Sequence, residues 1–190
     1  MIVSVFNGKG GVGKTPIAFS LAKDLNAYLI SNDDSIIEEA YPDRALIVEE
    51  PQLIEGNVVY DFGGYIDKML APILKESDCI VVPTNNDYNA LKKTLATLEE
   101  LLELKVKGRI CVAATKLETQ KDLDSIREKI EGDFPAIKVF QLRKSKAYSN
   151  AIESGLSIRE LYNDSPQNQH AYRNVYPEYK LLLRFVAQGE

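Results

Sequence analysis

The sequence predicts an α/β fold: a mostly parallel sheet flanked by helices. Three observations predict it. Short β-branched runs alternate with stretches of helical period along the whole chain, the pattern of strands joined by crossover helices. At 190 residues, 45% hydrophobic and 27% charged, the composition is that of an ordinary globular chain, which excludes the disordered, collagenous and coiled-coil classes. No internal repeat, low-complexity tract or long linker interrupts it, so residues 1–190 read as a single domain. A chain of this length buries about 70% of its unfolded surface and needs no disulfide or metal staple.

Each candidate strand is a short apolar run of the kind that parallel sheets bury on both faces. These runs are Ile2 to Phe6, Ala27 to Ser31, Ala45 to Val48, Val58 to Asp61, Cys79 to Pro83, Ile110 to Ala114 and Ile137 to Gln141. Helical period fills Lys14 to Asn26, Ile66 to Lys75, Tyr88 to Leu104, Leu123 to Ile130, Lys146 to Ser154 and Val175 to Ala187. The clearest helix places Leu91, Leu95, Leu98 and Leu102 on one stripe, with Lys92, Lys93, Glu99 and Glu103 off it, so that stripe is expected to pack on the sheet. Asp87 stands where it would cap this helix.

Charge and cysteine usage narrow the function classes. The net charge is −5, which argues against an obligatory nucleic-acid binder, but the average conceals an asymmetry. Residues 1–134 carry 15 bases and 23 acids, whereas residues 135–190 carry 8 bases and 5 acids. The segment from Pro135 to Ile152 holds Lys138, Arg143, Lys144 and Lys146 and no acid. Cys79 and Cys111 lie inside apolar runs without metal-ligand spacing and read as core thiols. No apolar stretch approaches the ~20 residues of a membrane span, and Ile2 to Phe6 lacks a basic flank or cleavage site, so a soluble, unprocessed, cytoplasmic chain is expected.

The first strand runs directly into Gly8-Lys9-Gly10-Gly11-Val12-Gly13-Lys14-Thr15, and helical period follows. Strand, GxxxxGKT loop and helix stand in the order that phosphate binding requires. Glycines let successive backbone N–H groups converge on phosphate oxygens, and the helix N-terminus adds unpaired donors and partial positive charge. Lys14 supplies a cation for the β and γ phosphates, and the Thr15 hydroxyl suits a Mg²⁺ coordination position.

A second lysine, Lys9, makes the string KGGVGKT, which resembles the deviant Walker A box of the ParA/MinD family of phosphate-loop ATPases. The resemblance implies that Lys9 crosses a dimer interface to the partner's phosphates. A cation that arrives only on dimerisation would couple assembly to nucleotide state. Further motifs follow in order. Ser31-Asn32-Asp33-Asp34-Ser35 is similar to the family's first switch, which implies that Asp33 orients the attacking water near the metal; Ser31 and Asp34 depart from the family pattern, and Asp34 is the alternative working acid. Val58-Val59-Tyr60-Asp61-Phe62-Gly63-Gly64 resembles the Walker B strand and second switch. It implies that Asp61 holds Mg²⁺ through a water and that Gly64 follows the γ-phosphate; a cap for the following helix is the other reading of Asp61.

Thr115-Lys116-Leu117-Glu118 resembles the N/T-K-x-D element of guanine-specific phosphate-loop proteins, which puts Lys116 at the nucleotide. ATP is the expected cofactor with Mg²⁺, because the family binds adenine and glutamate alters the reach of the expected aspartate; GTP stays open. Pro16 replaces the family's hydroxyl residue after Thr15. Proline suits the first turn of a helix but removes an N–H and a hydroxyl that reach the α-phosphate, worth about 1 to 3 kcal/mol, so weakened binding is expected.

The resemblance implies an ATP-dependent homodimer acting on a surface. The ParA-type reading is a DNA-segregation ATPase that binds DNA non-specifically through Arg143, Lys144 and Lys146, extended by Arg173, Lys180 and Arg184, with a small ParB-type centromere-binding adaptor. The alternatives are a MinD-like membrane-positioning ATPase and a nucleotide-binding regulator with little turnover. Only Lys180 and Arg184 lend cations to the final apolar helix, so that helix is expected to pack on the core rather than on a bilayer. His170 has no acid or cysteine neighbours and reads as a surface residue.

Overall fold

The structure, a computed structural model, describes residues 1–189. The strands are β1 (Ile2–Asn7), β2 (Tyr28–Ser31), β3 (Ala45–Ile47), β4 (Val58–Gly63), β5 (Cys79–Thr84), β6 (Arg109–Leu117) and β7 (Lys138–Arg143). They form one sheet in the order β3-β2-β4-β1-β5-β6-β7, and every pairing in it is parallel. Parallel neighbours cannot be joined by hairpins, so helices cross between them and bury both faces, which is why the strands read as unbroken apolar runs.

Alternation within β1 shows how those runs divide. Val3 and Val5 join one core with Val59, Val81 and Cys111, beneath α1 (Lys14–Asp24), α6 (Ala147–Glu153), α7 (Ile158–Asp164) and α9 (Val175–Gln188). Phe6 joins the opposite core with Tyr60, Phe62, Ile80 and Val112, beneath α3 (Leu70–Glu76), α4 (Tyr88–Glu103) and α5 (Gln120–Asp133). Each buried side chain of this size contributes about 1.5 to 3 kcal/mol relative to exposure. Cys79 and Cys111 are both buried and free.

Three short helices were not expected: α2 (Ile37–Ala40), α7 and α8 (Pro166–Ala171). The last two are set by capping chemistry. Ser157 and Glu160 form a reciprocal capping box on α7, and Ser165 caps α8 with Pro166 in its first turn. The expected helix from Ile66 begins only at Leu70, because the Asp67 carboxylate accepts from the Met69 and Leu70 amides and the chain before it is loop. On α4, Asp87 caps as expected, accepting from the Ala90 amide. The stripe needs one correction: Leu101 is buried and Leu102 is exposed, because the inner face runs through Ala90, Leu91, Thr94, Thr97, Leu98 and Leu101. The two threonines hid that face from an apolar count. Thr94 earns its place there by bonding Ala90 O and Thr84 Oγ1 and receiving Asn7 Nδ2.

The order places β1 at the centre, with α1 leaving over one face toward β2 and α3 leaving β4 over the other face toward β5. Loops that part in this way open a crevice beyond the carboxyl ends of the strands, the usual place for a ligand in such sheets.

Candidate functional site

The crevice is filled by the residues 8–15 loop. Gly13 ends it at φ +87°, a left-handed conformation that costs other residues about 1 to 2 kcal/mol, and so turns the chain into α1 at Lys14. Gly8 begins it, where a Cβ would collide with Lys93 Cε and stand 2.9 Å from Gly64 O. Asn7, fully buried, fixes the departure from β1: its amide donates to Pro83 O at 2.7 Å and its Oδ1 accepts from Lys9 N at 2.9 Å. Gly10 and Gly11 face solvent, whereas Val12 anchors the loop in the core. Thr115 secures the far side, donating toward Val12 O and Thr84 O at 2.8 and 2.9 Å.

Charges converge at the start of α1. Lys14 is only 5% exposed, and its ammonium lies 3.6 Å from Asp33, whose side chain is 48% exposed. Asp34 points outward, so of the two candidate acids it is Asp33 that shares space with Lys14. Ser31 orders this corner, accepting from Asp33 N at 3.1 Å and donating to Asp61 Oδ2 at 3.3 Å. Asn32 ties the two switch-like segments together: its Nδ2 donates to Gly63 O at 3.1 Å and its Oδ1 accepts from Gly63 N at 3.0 Å.

Asp61 is completely buried and does not cap a helix, since β4 continues through it to Gly63. Burial pushes its carboxyl up to about 6, against the lowering effects of the Thr15 hydroxyl and the Lys14 ammonium. Its Oδ1 has no hydrogen-bond partner. An orphaned buried carboxylate oxygen beside the Thr15 and Ser31 hydroxyls and the Asp33 carboxylate is a hard, oxygen-only donor set, which fits Mg²⁺. No group of three His, Cys, Asp or Glu side chains among the described residues could hold a metal alone.

Beside the loop lies a cavity of about 260 Å³ lined by Gly13, Pro16, Ile17, Thr115, Lys116, Arg143, Lys144, Ser145 and Tyr148. Lys116 bridges it to the loop, donating to Gly11 O at 2.7 Å from a backbone held at φ +55°. Pro16 and Ile17 supply an apolar wall to it. Arg143 and Lys144, expected on a DNA surface, form the opposite rim, and each is engaged by a carboxylate. Arg143 donates its backbone N–H, Nε and Nη2 to Glu178, and Lys144 donates to Glu118 at 2.5 Å. The Glu118 carboxylate, the candidate guanine reader, is thereby paired with an ammonium on the cavity rim. Lys146, the third expected DNA contact, is exposed and away from this cavity lining.

Asn7, Asn32 and Lys93 were not singled out from the sequence as site residues. Asn7 ends β1 and Asn32 follows β2, so each is a polar amide closing an apolar run, and its partners are visible only in the fold. Lys93 gave none, because it lies on a helix whose charges alternate.

Neither a protein-family model nor a curated protein matches the sequence. Solved structures match it in shape. An McdA variant from Cyanothece in complex with ATP superposes with a TM-score of 0.74 at 14% identity, covering 98% of this chain and 95% of that one. The septum site-determining protein MinD with Mg-ADP from Pyrococcus horikoshii gives 0.64 at 12% identity, covering 98% of both chains. A ParA family ATPase from Chlorobium tepidum gives 0.60 at 16% identity, covering 100% of this chain and 98% of that one. With its parallel sheet and glycine loop, the chain has the fold of the ParA/MinD ATPases.

Proposed function

We propose that this chain is a Mg²⁺-dependent ATPase of ParA type that dimerises with ATP, binds DNA non-specifically and segregates DNA with a small ParB-type centromere-binding adaptor. The observation that carries the nucleotide reading is the meeting of buried Lys14, Asp33 and the orphaned Asp61 oxygen at the mouth of the KGGVGKT loop. Backbone N–H groups of residues 8–15 cradle the phosphates, and Lys14 gives its ammonium to the β and γ oxygens. Mg²⁺ would supply positive charge against the phosphate oxygens. Thr15 and, through a water, Asp61 would hold the metal, Asp33 would orient the attacking water by accepting a hydrogen bond from it, and Lys9 would reach the partner's phosphates. Pro16 and Lys116 enclose the base, and ATP is favoured by the resemblance to adenine-binding ATPases, with glutamate at position 118 in place of the guanine-reading aspartate.

The DNA surface rests on fewer cations than the sequence count. With Arg143 and Lys144 engaged, Lys146 and the exposed Arg173, Lys180 and Arg184 carry it, and dimerisation doubles their charge. The bilayer reading is disfavoured by α9, whose apolar side chains Val175, Tyr179, Leu182, Phe185 and Val186 are buried against the core. No helix among the described residues is long and apolar enough to cross a membrane.

Sedimentation of the wild type, Lys9→Ala and Asp33→Ala with ADP and ATP, with and without DNA, tests this reading. Expected are a dimer in ATP for the wild type and Asp33→Ala, a monomer for Lys9→Ala, and DNA binding confined to the dimer and lost as salt rises. Normal dimerisation of Lys9→Ala would remove the trans-acting role, and DNA binding indifferent to nucleotide would remove the partition reading.

A further inference from the structure

Lys93 lies on the first half of α4, outside every motif that the sequence presents, yet its side chain ends at the loop. Its Cε occupies the space that a Cβ on Gly8 would need, and its Nζ lies 3.3 Å from that position. The same position is 2.9 Å from Gly64 O, so the first loop glycine, the glycine after the Asp61 strand and the Lys93 terminus meet at one point. Gly63, the preceding residue, borders Lys14 Nζ and the Asp33 carboxylate. The Lys93 ammonium therefore stands on the same rim as the groups assigned to the terminal phosphate.

Lys93 is half-buried, and no carboxylate among the described residues pairs with it. Its companion is the ring of Tyr65, 4.6 Å from Nζ, and Tyr65 is itself 77% exposed in the loop after Gly64. A partly desolvated cation held only by a π-face is under-compensated, and a nearby phosphate would complete it. Tyr65 holds it on the rim without neutralising it.

We propose that Lys93 is a further binding residue of the triphosphate site: a cation supplied by the same subunit that engages the terminal phosphate and so favours the triphosphate over the diphosphate. This rests on the nucleotide reading above and deepens it. Lys9 would act across the dimer and Lys14 from within the loop, whereas Lys93 reaches in from α4 and joins that helix, the loop and the segment after Gly64 in sensing one group. Its aliphatic stem already covers Gly8, so only the ammonium has to be supplied with a partner.

Calorimetric titration with Mg-ADP and with Mg²⁺ plus the non-hydrolysable analogue AMPPNP tests the assignment in the wild type, Lys93→Met and Lys93→Arg. Methionine keeps the stem over Gly8 and removes the charge. Expected is a loss of at least about tenfold in AMPPNP affinity for Lys93→Met, the scale of one charge-assisted hydrogen bond, with ADP affinity unchanged within about twofold. Lys93→Arg should retain most of the triphosphate preference, and the loss should persist in a Lys9→Ala background, where no trans lysine contributes. Equal weakening of both nucleotides, no weakening of either, or tighter AMPPNP binding would overturn the assignment and leave the nucleotide reading standing. A wild type that binds neither nucleotide would overturn both.

Discussion

Asp61→Asn separates what Asp61 costs the free protein from what it does for a bound metal. Burial raises its carboxyl from 3.8 to about 6. A group whose folded value exceeds its unfolded value stabilises the fold fully below the unfolded value, and that contribution is lost as pH rises through the folded value. In the window from about pH 4 to about pH 6 the native protein therefore gives up stability relative to an uncharged residue. A shift of roughly two units at 1.36 kcal/mol each sets the cost at about 3 kcal/mol above pH 6. The side chain is fully buried, so solvent screening does not reduce the figure. For a chain of this size 1 kcal/mol moves the melting temperature by about 2 to 4 °C, so metal- and nucleotide-free Asp61→Asn should melt about 6 to 12 °C above the wild type at pH 7.5. The gap should close toward pH 4. Scanning calorimetry in a chelator, from pH 4 to pH 8, reads both limbs. With Mg-ATP present the wild type should recover the difference and Asp61→Asn should not. Equal melting temperatures at pH 7.5, or a gap that does not vary with pH, would refute the proposed burial cost.

Two further substitutions test the loop and its clamp. Gly8→Ala places a methyl group against Lys93 Cε, which can swing away, and against Gly64 O, which is backbone; a loss of about 1 to 3 kcal/mol is expected by chemical denaturation, together with weaker nucleotide binding. Asn32→Ala breaks both bonds to Gly63, so about 1 to 2 kcal/mol of stability and the slow amide exchange of Gly63 should be lost, the second measured by hydrogen exchange.

The strands could be read from the sequence because a parallel strand buried on both faces must be apolar throughout. Each of the expected runs, from Ile2 to Gln141, became a strand with ends shifted by a few residues. The loop was equally plain, since glycine spacing and the strand before it are local properties. What escaped was non-local or short. Arg143 and Lys144 read as unopposed cations because Glu178 and Glu118 are distant in sequence; only the fold shows each pair. Leu102 outranked Leu101 because two buried threonines broke the apolar count along α4. The helices α7 and α8 are too short for a periodic signal, although Ser157 with Glu160 and Ser165 with Pro166 spelled their beginnings. Asn32 was passed over because the value of an amide lies in what faces it, here both backbone groups of Gly63.

Glu178 belongs to α9, and through Arg143 it grips the rim of the cavity beside the glycine loop with three hydrogen bonds. The terminal helix and one wall of that cavity are therefore joined through a single ion pair. A load applied to the outer surface of α9 would reach the cavity rim through that pair without any contact with the rim itself.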